Sequence, residues 1–204
     1  MLASLLLTAV LAQTPSSPGG VLAPAVLPSG SNAVYGLVGA PEIGAGYRQG
    51  FAPLEIEARA LFNIFELSGL IEGGVKIPVL QRDALQVGVG AAVGLLLNSG
   101  SKYFDAANFG SVAVRPRVSG LLSYGLSDLV TLLARLDVPL AISATVAGTD
   151  FRPEVGVGAE FHLGGSLSLL VLGELGVDAI KQGLGVMQVR PAWGVQLGVG
   201  YRIF

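Results

Sequence analysis

The chain has 204 residues and no cysteine; 13% of its residues are charged against 51% hydrophobic, and its formal net charge is -2. A soluble domain normally carries about 25% charged residues, and the lack of cysteine excludes a disulfide framework, a thiol nucleophile and a lipid-anchored cysteine. The small negative charge offers nothing to a nucleic-acid partner, and beyond the first dozen residues no apolar run reaches the ~18 needed for a helical span.

Residues 1–12, MLASLLLTAVLA, form a short apolar run that ends in small residues, with Val10 and Ala12 at the minus-three and minus-one positions of a cleavage before Gln13. That pattern predicts a cleavable secretory signal peptide, although no Lys or Arg precedes the apolar run. Residues 13–32, QTPSSPGGVLAPAVLPSGSN, are rich in Pro, Ser and Gly without periodicity and read as a disordered, flexible leader. The remaining residues, 33–204, make one domain.

Within that domain the period is two rather than 3.6, interrupted by turn signals. Strands are predicted at about 33–39, 42–49, 54–62, 70–79, 85–97, 111–124, 129–141, 153–163, 167–178 and 189–203. In the third, Leu54, Ile56, Ala58, Ala60 and Phe62 share one face while Glu55, Glu57 and Arg59 share the other. The same division recurs with Glu72 and Lys76, Arg115 and Arg117, Arg135 and Asp137, Glu154 and Glu160, Glu174 and Asp178, and Arg190 and Arg202. With Glu42 and Arg48 included, 17 of the 26 formal charges fall on one face, nine acidic and eight basic, and the others fall in turns or loops. A soluble barrel would be apolar inside and charged outside. Charges within a continuous apolar belt is the arrangement that lipid favours, and hydrocarbon requires the sheet to close so that no edge is left unpaired.

The predicted fold is therefore an all-β, antiparallel transmembrane barrel of 8 to 10 strands. Eight fit between residues 54 and 204. Ten are preferred because Glu42, Gly44, Gly46 and Arg48 alternate with Ile43, Ala45 and Tyr47, and the even-number rule then takes a tenth strand from 33–39. Connections at 81–84, 125–128 and 164–166 are short, as periplasmic turns are, whereas 98–110, 142–152 and 179–188 are long, as external loops are. That orientation puts Tyr47, Tyr124, Phe161 and Tyr201 in an aromatic girdle at the periplasmic interface and Phe62, Phe65 and Trp193 at the opposite one.

The last strand, PAWGVQLGVGYRIF, alternates almost perfectly, with Trp193, Val195, Leu197, Val199, Tyr201 and Ile203 on one side and Gly194, Gln196, Gly198, Gly200 and Arg202 on the other. Its end, Gly200, Tyr201, Arg202 and Phe204, resembles the closing strand of Gram-negative outer-membrane β-barrel proteins, and the whole chain looks like the small OmpA/OmpX-like class of these barrels. Ile203 departs from the pattern by taking the outward place after Tyr201 and moving Phe204 one residue on. The resemblance implies location in the bacterial outer membrane, contact with outer-membrane lipid, and an insertion signal, Gly200, Tyr201, Ile203 and Phe204, read by the barrel-assembly machinery. It implies no activity.

The inward charges Glu55, Glu57, Arg59, Glu72, Lys76, Arg115, Arg117, Arg135, Asp137, Glu154, Glu160, Glu174, Asp178, Arg190 and Arg202 form the candidate site, a lumen charge network. Glycines are expected to make room for the long members, with Lys76 opposite Gly88, Glu154 opposite Gly176, and Glu174 opposite Gly156. Arg117 is expected opposite Asp137 if Tyr124 pairs with Val130. The single histidine, His162, lies beside Glu160 without a serine placed by any motif, so no catalytic residue, metal site or cofactor is assigned. The glycine pairs at 88–90, 156–158 and 198–200 open no helix and carry no dinucleotide signature. The near equality of acidic and basic charges favours a plugged, non-enzymatic barrel of structural or surface-interaction type. The alternative is a narrow channel or small-solute transporter. Aromatic residues in 98–110 and 142–152, among them Tyr103, Phe104, Phe109 and Phe151, are candidates for an extracellular ligand.

Overall fold

The computed structural model describes residues 20–104, 106, 108–164 and 166–203. The expected signal peptide, the first part of the leader and Phe204 lie outside the described residues.

Eleven strands form one antiparallel sheet: β1 (Asn32–Ala40), β2 (Glu42–Gly50), β3 (Glu55–Asn63), β4 (Ser68–Arg82), β5 (Leu85–Ser99), β6 (Gly110–Ser127), β7 (Val130–Ser143), β8 (Gly148–Phe151), β9 (Glu154–His162), β10 (Leu167–Gln182) and β11 (Gln188–Ile203). Each pairs with its neighbour in sequence up to β7. β8 and β9 both lie between β7 and β10 and are two halves of one wall position, split at Arg152 and Pro153. β1 pairs with β11 from Asn32↔Ile203 to Ala40↔Val195, so the sheet closes as a ten-position barrel. No helix occurs among the described residues.

Alternation sets the two faces. Along β11, Trp193, Val195, Leu197, Val199, Tyr201 and Ile203 are exposed while Gly194, Gln196, Gly198 and Gly200 are buried. Ile71, Val93, Val118, Leu136, Val157 and Val171 continue the exposed apolar belt on other strands. Buried charges, including Arg48, Glu55, Glu72, Asp137, Glu160 and Asp178, point into the lumen. Apolar outside and ionic inside, with closure removing every edge, is the construction of a barrel that spans a bilayer.

Three sequence expectations change. First, residues 142–152 are not one loop: β7 runs on to Ser143, and β8 returns from Gly148 to pair with β7 and β10. Second, the β6–β7 hairpin carries an irregularity between Gly125 and Ser127, so Tyr124 faces Leu132 rather than Val130. Arg117 consequently faces Pro139, and Asp137 faces Ser119. Third, a bulge beside Pro78 in β4 brings Lys76 opposite Gly90 instead of Gly88. Proline has no N–H to donate to a ladder, which makes its neighbourhood a natural place for an extra residue. The expected facings of Glu154 with Gly176 and Glu174 with Gly156 agree with the observed register.

The largest difference concerns residues 20–31, read from the sequence as the second half of a flexible leader. They enter one end of the barrel, and Val21, Ala23, Ala25, Val26 and Leu27 are buried there. Ala23 packs in a cluster with Leu133, Leu170 and Leu172, and Val21 and Leu27 pack with Ala33. Apolar packing is thus inside the lumen, around this segment, and the wall residues that receive it are inward leucines on β7 and β10.

The wall is uneven. β4, β5, β6, β10 and β11 have 15 to 18 residues, whereas β1, β2 and β3 have nine each. A tilted strand needs only about 9–11 residues to cross. At the far end from the plug, β1 stops at Ala40 opposite Val195, so residues 188–194 of β11 have β10 on one side and no β1 on the other.

Candidate functional site

The lumen has three levels, which together contain most of the predicted network. At the plug end, wall side chains hold the backbone of residues 20–31. The Glu160 carboxylate accepts from three successive amides: Val21 N–H at 2.7 Å, Leu22 N–H at 3.0 and 3.1 Å, and Ala23 N–H at 2.6 Å. Ser168 also donates its hydroxyl to Glu160. From the opposite side, Arg48 donates to the carbonyls of Val21 at 2.7 Å, Leu22 at 3.1 Å and Pro24 at 2.8 Å. Gln86 accepts from Val26 N–H at 3.1 Å and donates to its carbonyl at 2.9 Å. Ser123 accepts from Ala25 N–H, Glu55 from Leu27 N–H, and Arg202 donates to the Gly20 carbonyl.

Apart from the Ser168–Glu160 bond, every one of these goes to the segment's main chain, so the wall satisfies a coil that has no ladder of its own. Bonds to ionised groups are the strong ones, and Arg48 and Glu160 supply most of them. Inward glycines give the segment its room: a Cβ at Gly200 would stand 2.6 Å from the Val21 Cβ, and one at Gly50 would stand 2.1 Å from the Pro28 carbonyl oxygen.

Above the plug, Glu55 binds Arg48 at 2.7 Å and Lys76 at 3.2 Å, and Lys76 also reaches Glu57 at 3.1 Å. Tyr35, lying over Gly46, donates its hydroxyl to Glu57 at 2.7 Å. A second chain of pairs then runs from β3 to β10: Arg59 to Glu72 at 2.8 Å, Glu72 to Arg117 at 2.7 Å, Arg117 to Asp137, Asp137 to Arg135 at 3.1 Å, and Arg135 to Glu174. It passes over β5, whose inward residues there are Gly90, Ala92 and Gly94. The Arg117–Asp137 pair forms diagonally across the hairpin despite the shifted register. A cavity of about 60 Å³ lies between the plug and these charges, touching Leu22, Tyr35, Arg48, Lys76 and Arg135.

At the far end, Arg152 bridges Glu66 at 2.5 Å and Asp178 at 3.1 Å, and Arg190 binds Asp178 at 2.6 Å. Glu66 and Arg152 were expected in loops, yet they close the network over the short strands. Among the described residues Arg115 and Glu154 join no ion pair; Glu154 lines the far-end notch. Sequence reasoning counted Arg48 as inward but did not place it in the network. It also passed over Gln86, Ser123 and Ser168, whose inward parity on β5, β6 and β10 was the available signal.

Of the aromatic residues, Tyr47, Tyr124, Phe161 and Tyr201 stand at the plug end, where Val34 faces both Tyr47 and Tyr201. Phe62 lies on exposed wall toward the far end, and Trp193 at the far-end edge of β11. Of the expected insertion signal, Gly200 is inward and seats Val21, while Tyr201 and Ile203 are exposed. His162 has its ring between the Thr131 hydroxyl at 3.2 Å and the Asp128 carbonyl at 2.9 Å, where it ties the β6–β7 turn to β9. Among the described residues no group of three or more His, Asp or Glu could hold a metal ion.

No family model and no curated protein matches the chain. Similar solved structures include the outer-membrane expressed OmpT of Vibrio cholerae, 12% identical with a TM-score of 0.41, covering 79% of this chain and 56% of that one. The chain therefore spans little more than half the length of that protein. A de novo designed transmembrane β-barrel is 15% identical with a TM-score of 0.38, over 87% of this chain and 99% of the design. The KdgM porin is 11% identical with a TM-score of 0.42, over 85% of this chain and 99% of that one.

Proposed function

We propose that the protein is a bacterial outer-membrane β-barrel of structural or surface-interaction type, non-enzymatic, with a lumen closed to solutes. The observation that carries this reading is the segment 20–31, held inside the barrel by buried wall side chains. The ion-pair chain from Arg59 to Glu174 is a second barrier in the same passage. A narrow interior of this size admits side chains or at most a very small path, and here side chains and a coil fill it. The apolar belt supports contact with lipid, and the exposed β11 row through Tyr201 and Ile203 is the surface that assembly machinery would read. The plug end is the periplasmic end in this reading, because the short connections at 83–84 and 128–129 lie there.

A narrow channel is the second reading, favoured by the charged cavity of about 60 Å³ above the plug. Planar-bilayer recording on the full chain separates the two. The closed-lumen reading expects no steady conductance, and porin-like steady current would replace it with the channel.

A further inference from the structure

β8 is held in the wall by few contacts. It joins β7 at three residue pairs and β10 at four, between the exposed residues 144–147 and the break at Arg152 and Pro153. Thr149 and Phe151 are exposed, so Asp150 between them turns inward. It stands opposite Ile180 on β10, and Asp178, two residues along, is its diagonal neighbour on the same inward face. The Asp150 and Asp178 side chains are hydrogen-bonded to each other, and each has a buried Oδ1 that meets no donor from any other described residue. An ionised carboxylate only accepts, so a bond between two of them requires that one carry a proton.

The charges around the pair call for that proton. Arg152 binds Glu66 and Asp178, and Arg190 binds Asp178, so Glu66, Asp150 and Asp178 are three carboxyl groups against two guanidiniums. Asp178 is bound by both arginines, which leaves Asp150 as the member that keeps the proton. On its other sides β5, β6 and β7 bring uncharged residues to a small cavity that Asp150 lines, among them Leu96, Ala113 and Ala141, and Glu66 is the further ionisable group there. Lys181 lies on the exposed face of β10, and Glu154, beyond Pro153, lines the notch instead. A second ionised carboxylate at Asp150 would therefore meet Asp178 and Glu66 with Arg152 alone to oppose them.

We infer that Asp150 and Asp178 share a single proton and that this proton latches β8 into the wall; when it leaves, two carboxylates in contact drive β8 from β10. Release leaves residues 140–142 of β7 and 179–182 of β10 without a partner on that side, so the latch governs two strand edges at the far end. β9 alone has nine residues, and a tilted strand crosses with about 9–11, so β8 stands beyond the crossing and within reach of the outer solution. Burial, opposed by Arg152 and helped by Asp178, pushes the Asp150 carboxyl up to about 7. Once β8 is released and solvated, that carboxyl returns to the ordinary value of about 3.9. The closed form thus binds one more proton between the two values: the latch is fully on below about pH 4 and is lost as pH rises to about 7. The plug and the ion-pair chain from Arg59 to Glu174 take no part, so the inference goes beyond the closed-lumen reading and holds whether or not the barrel conducts.

Amide hydrogen exchange on the full chain in detergent reads the latch directly, as protection factors corrected for the intrinsic effect of pH on exchange. Protection at residues 148–151 is expected to fall about tenfold for each pH unit from about pH 5 to about pH 7 and then to level off, one proton being released on opening. Residues 91–95, in the middle of β5, serve as the reference and are expected to stay constant. Asp150→Asn puts an amide donor where the shared proton was, and is expected to keep residues 148–151 protected to the same degree across the whole range. Heat-modifiable gel migration checks that the variant is folded, and the pH series on the unaltered protein decides the matter without it. Protection of β8 that does not change with pH, a parallel loss at residues 91–95, or an unaltered slope in folded Asp150→Asn would overturn the proposal.

Discussion

At the residue scale, Glu160 and Gly200 test different halves of the same contact. Glu160 accepts three amide bonds from Val21, Leu22 and Ala23 and is fully buried, so Glu160→Ala leaves three buried donors without an acceptor. Hydrogen bonds to a charged group contribute about 1.5–3 kcal/mol each, with losses that do not simply add. Hydrogen exchange at the amides of residues 21–23 is expected to accelerate on the order of a hundredfold, the equivalent of about 3 kcal/mol. Unchanged protection would mean that packing alone holds the segment. Gly200→Leu acts by volume, since even a Cβ there stands 2.6 Å from the Val21 Cβ. It is expected to expel residues 20–28 while the wall stays closed. Limited proteolysis should then cut within 20–28 of a protein that still migrates as a folded barrel, and resistance equal to the unaltered protein would argue against the seat.

At the element scale, the belt itself makes a prediction. Val157 on β9 and Leu136 on β7 are exposed near mid-strand, with apolar neighbours on the same face. Arginine at either position would have neither water nor a lumen partner, at a cost of about 2–4 kcal/mol near the midplane. Val157→Arg and Leu136→Arg are therefore expected to lower membrane-inserted yield strongly, while Lys102→Glu, in the exposed segment after β5, leaves it unchanged. Equal yields for all three would reject the facing. Much of this scale was legible in the sequence, because a period of two records which side of a strand meets lipid and which meets charge. The identity of the inward charges and the positions of most strands follow from parity alone. What parity does not record is register. The bulge beside Pro78 and the irregular turn after Gly125 each displace a hairpin while leaving Lys76 and Arg117 on the inward side, and so moved them off their expected partners. β8 was read as loop because GTDF is too short to show alternation; its pairing with Leu140, Ala141 and Ile142 makes it a strand. Residues 20–31 were illegible for a different reason. A coil whose amides are satisfied by Glu160, Gln86, Ser123 and Glu55, on four separate strands, has no local signature. The one available hint was VLAPAVL at 21–27, an apolar run within an otherwise Pro-, Ser- and Gly-rich stretch.

For the whole molecule, plug and ion-pair chain are two barriers in series, and conductance requires both to open. Deleting residues 20–28 empties one end of the lumen but leaves Arg59, Glu72, Arg117, Asp137, Arg135 and Glu174 joined across the next level. Arg117 sits between two carboxylates, Glu72 and Asp137, so Arg117→Ala leaves both without that guanidinium. Breaking a buried pair by removing one partner costs about 3–5 kcal/mol, and the freed carboxylates would draw water into the path. Exchange of the two charges, Arg117→Asp with Asp137→Arg, is not a repair: it sets the new aspartate against Glu72 and the new arginine beside Arg135. The expected order in planar bilayers is therefore no steady current for the unaltered protein or for the deletion alone. Unstable, flickering current is expected when the deletion is combined with Arg117→Ala, and no recovery with the exchanged pair. Heat-modifiable migration checks beforehand that each variant is folded. Steady current from the deletion alone would show that the ion-pair chain is no barrier, and recovery by the exchange would show that Arg117 and Asp137 act as an isolated pair rather than as links between β4 and β10.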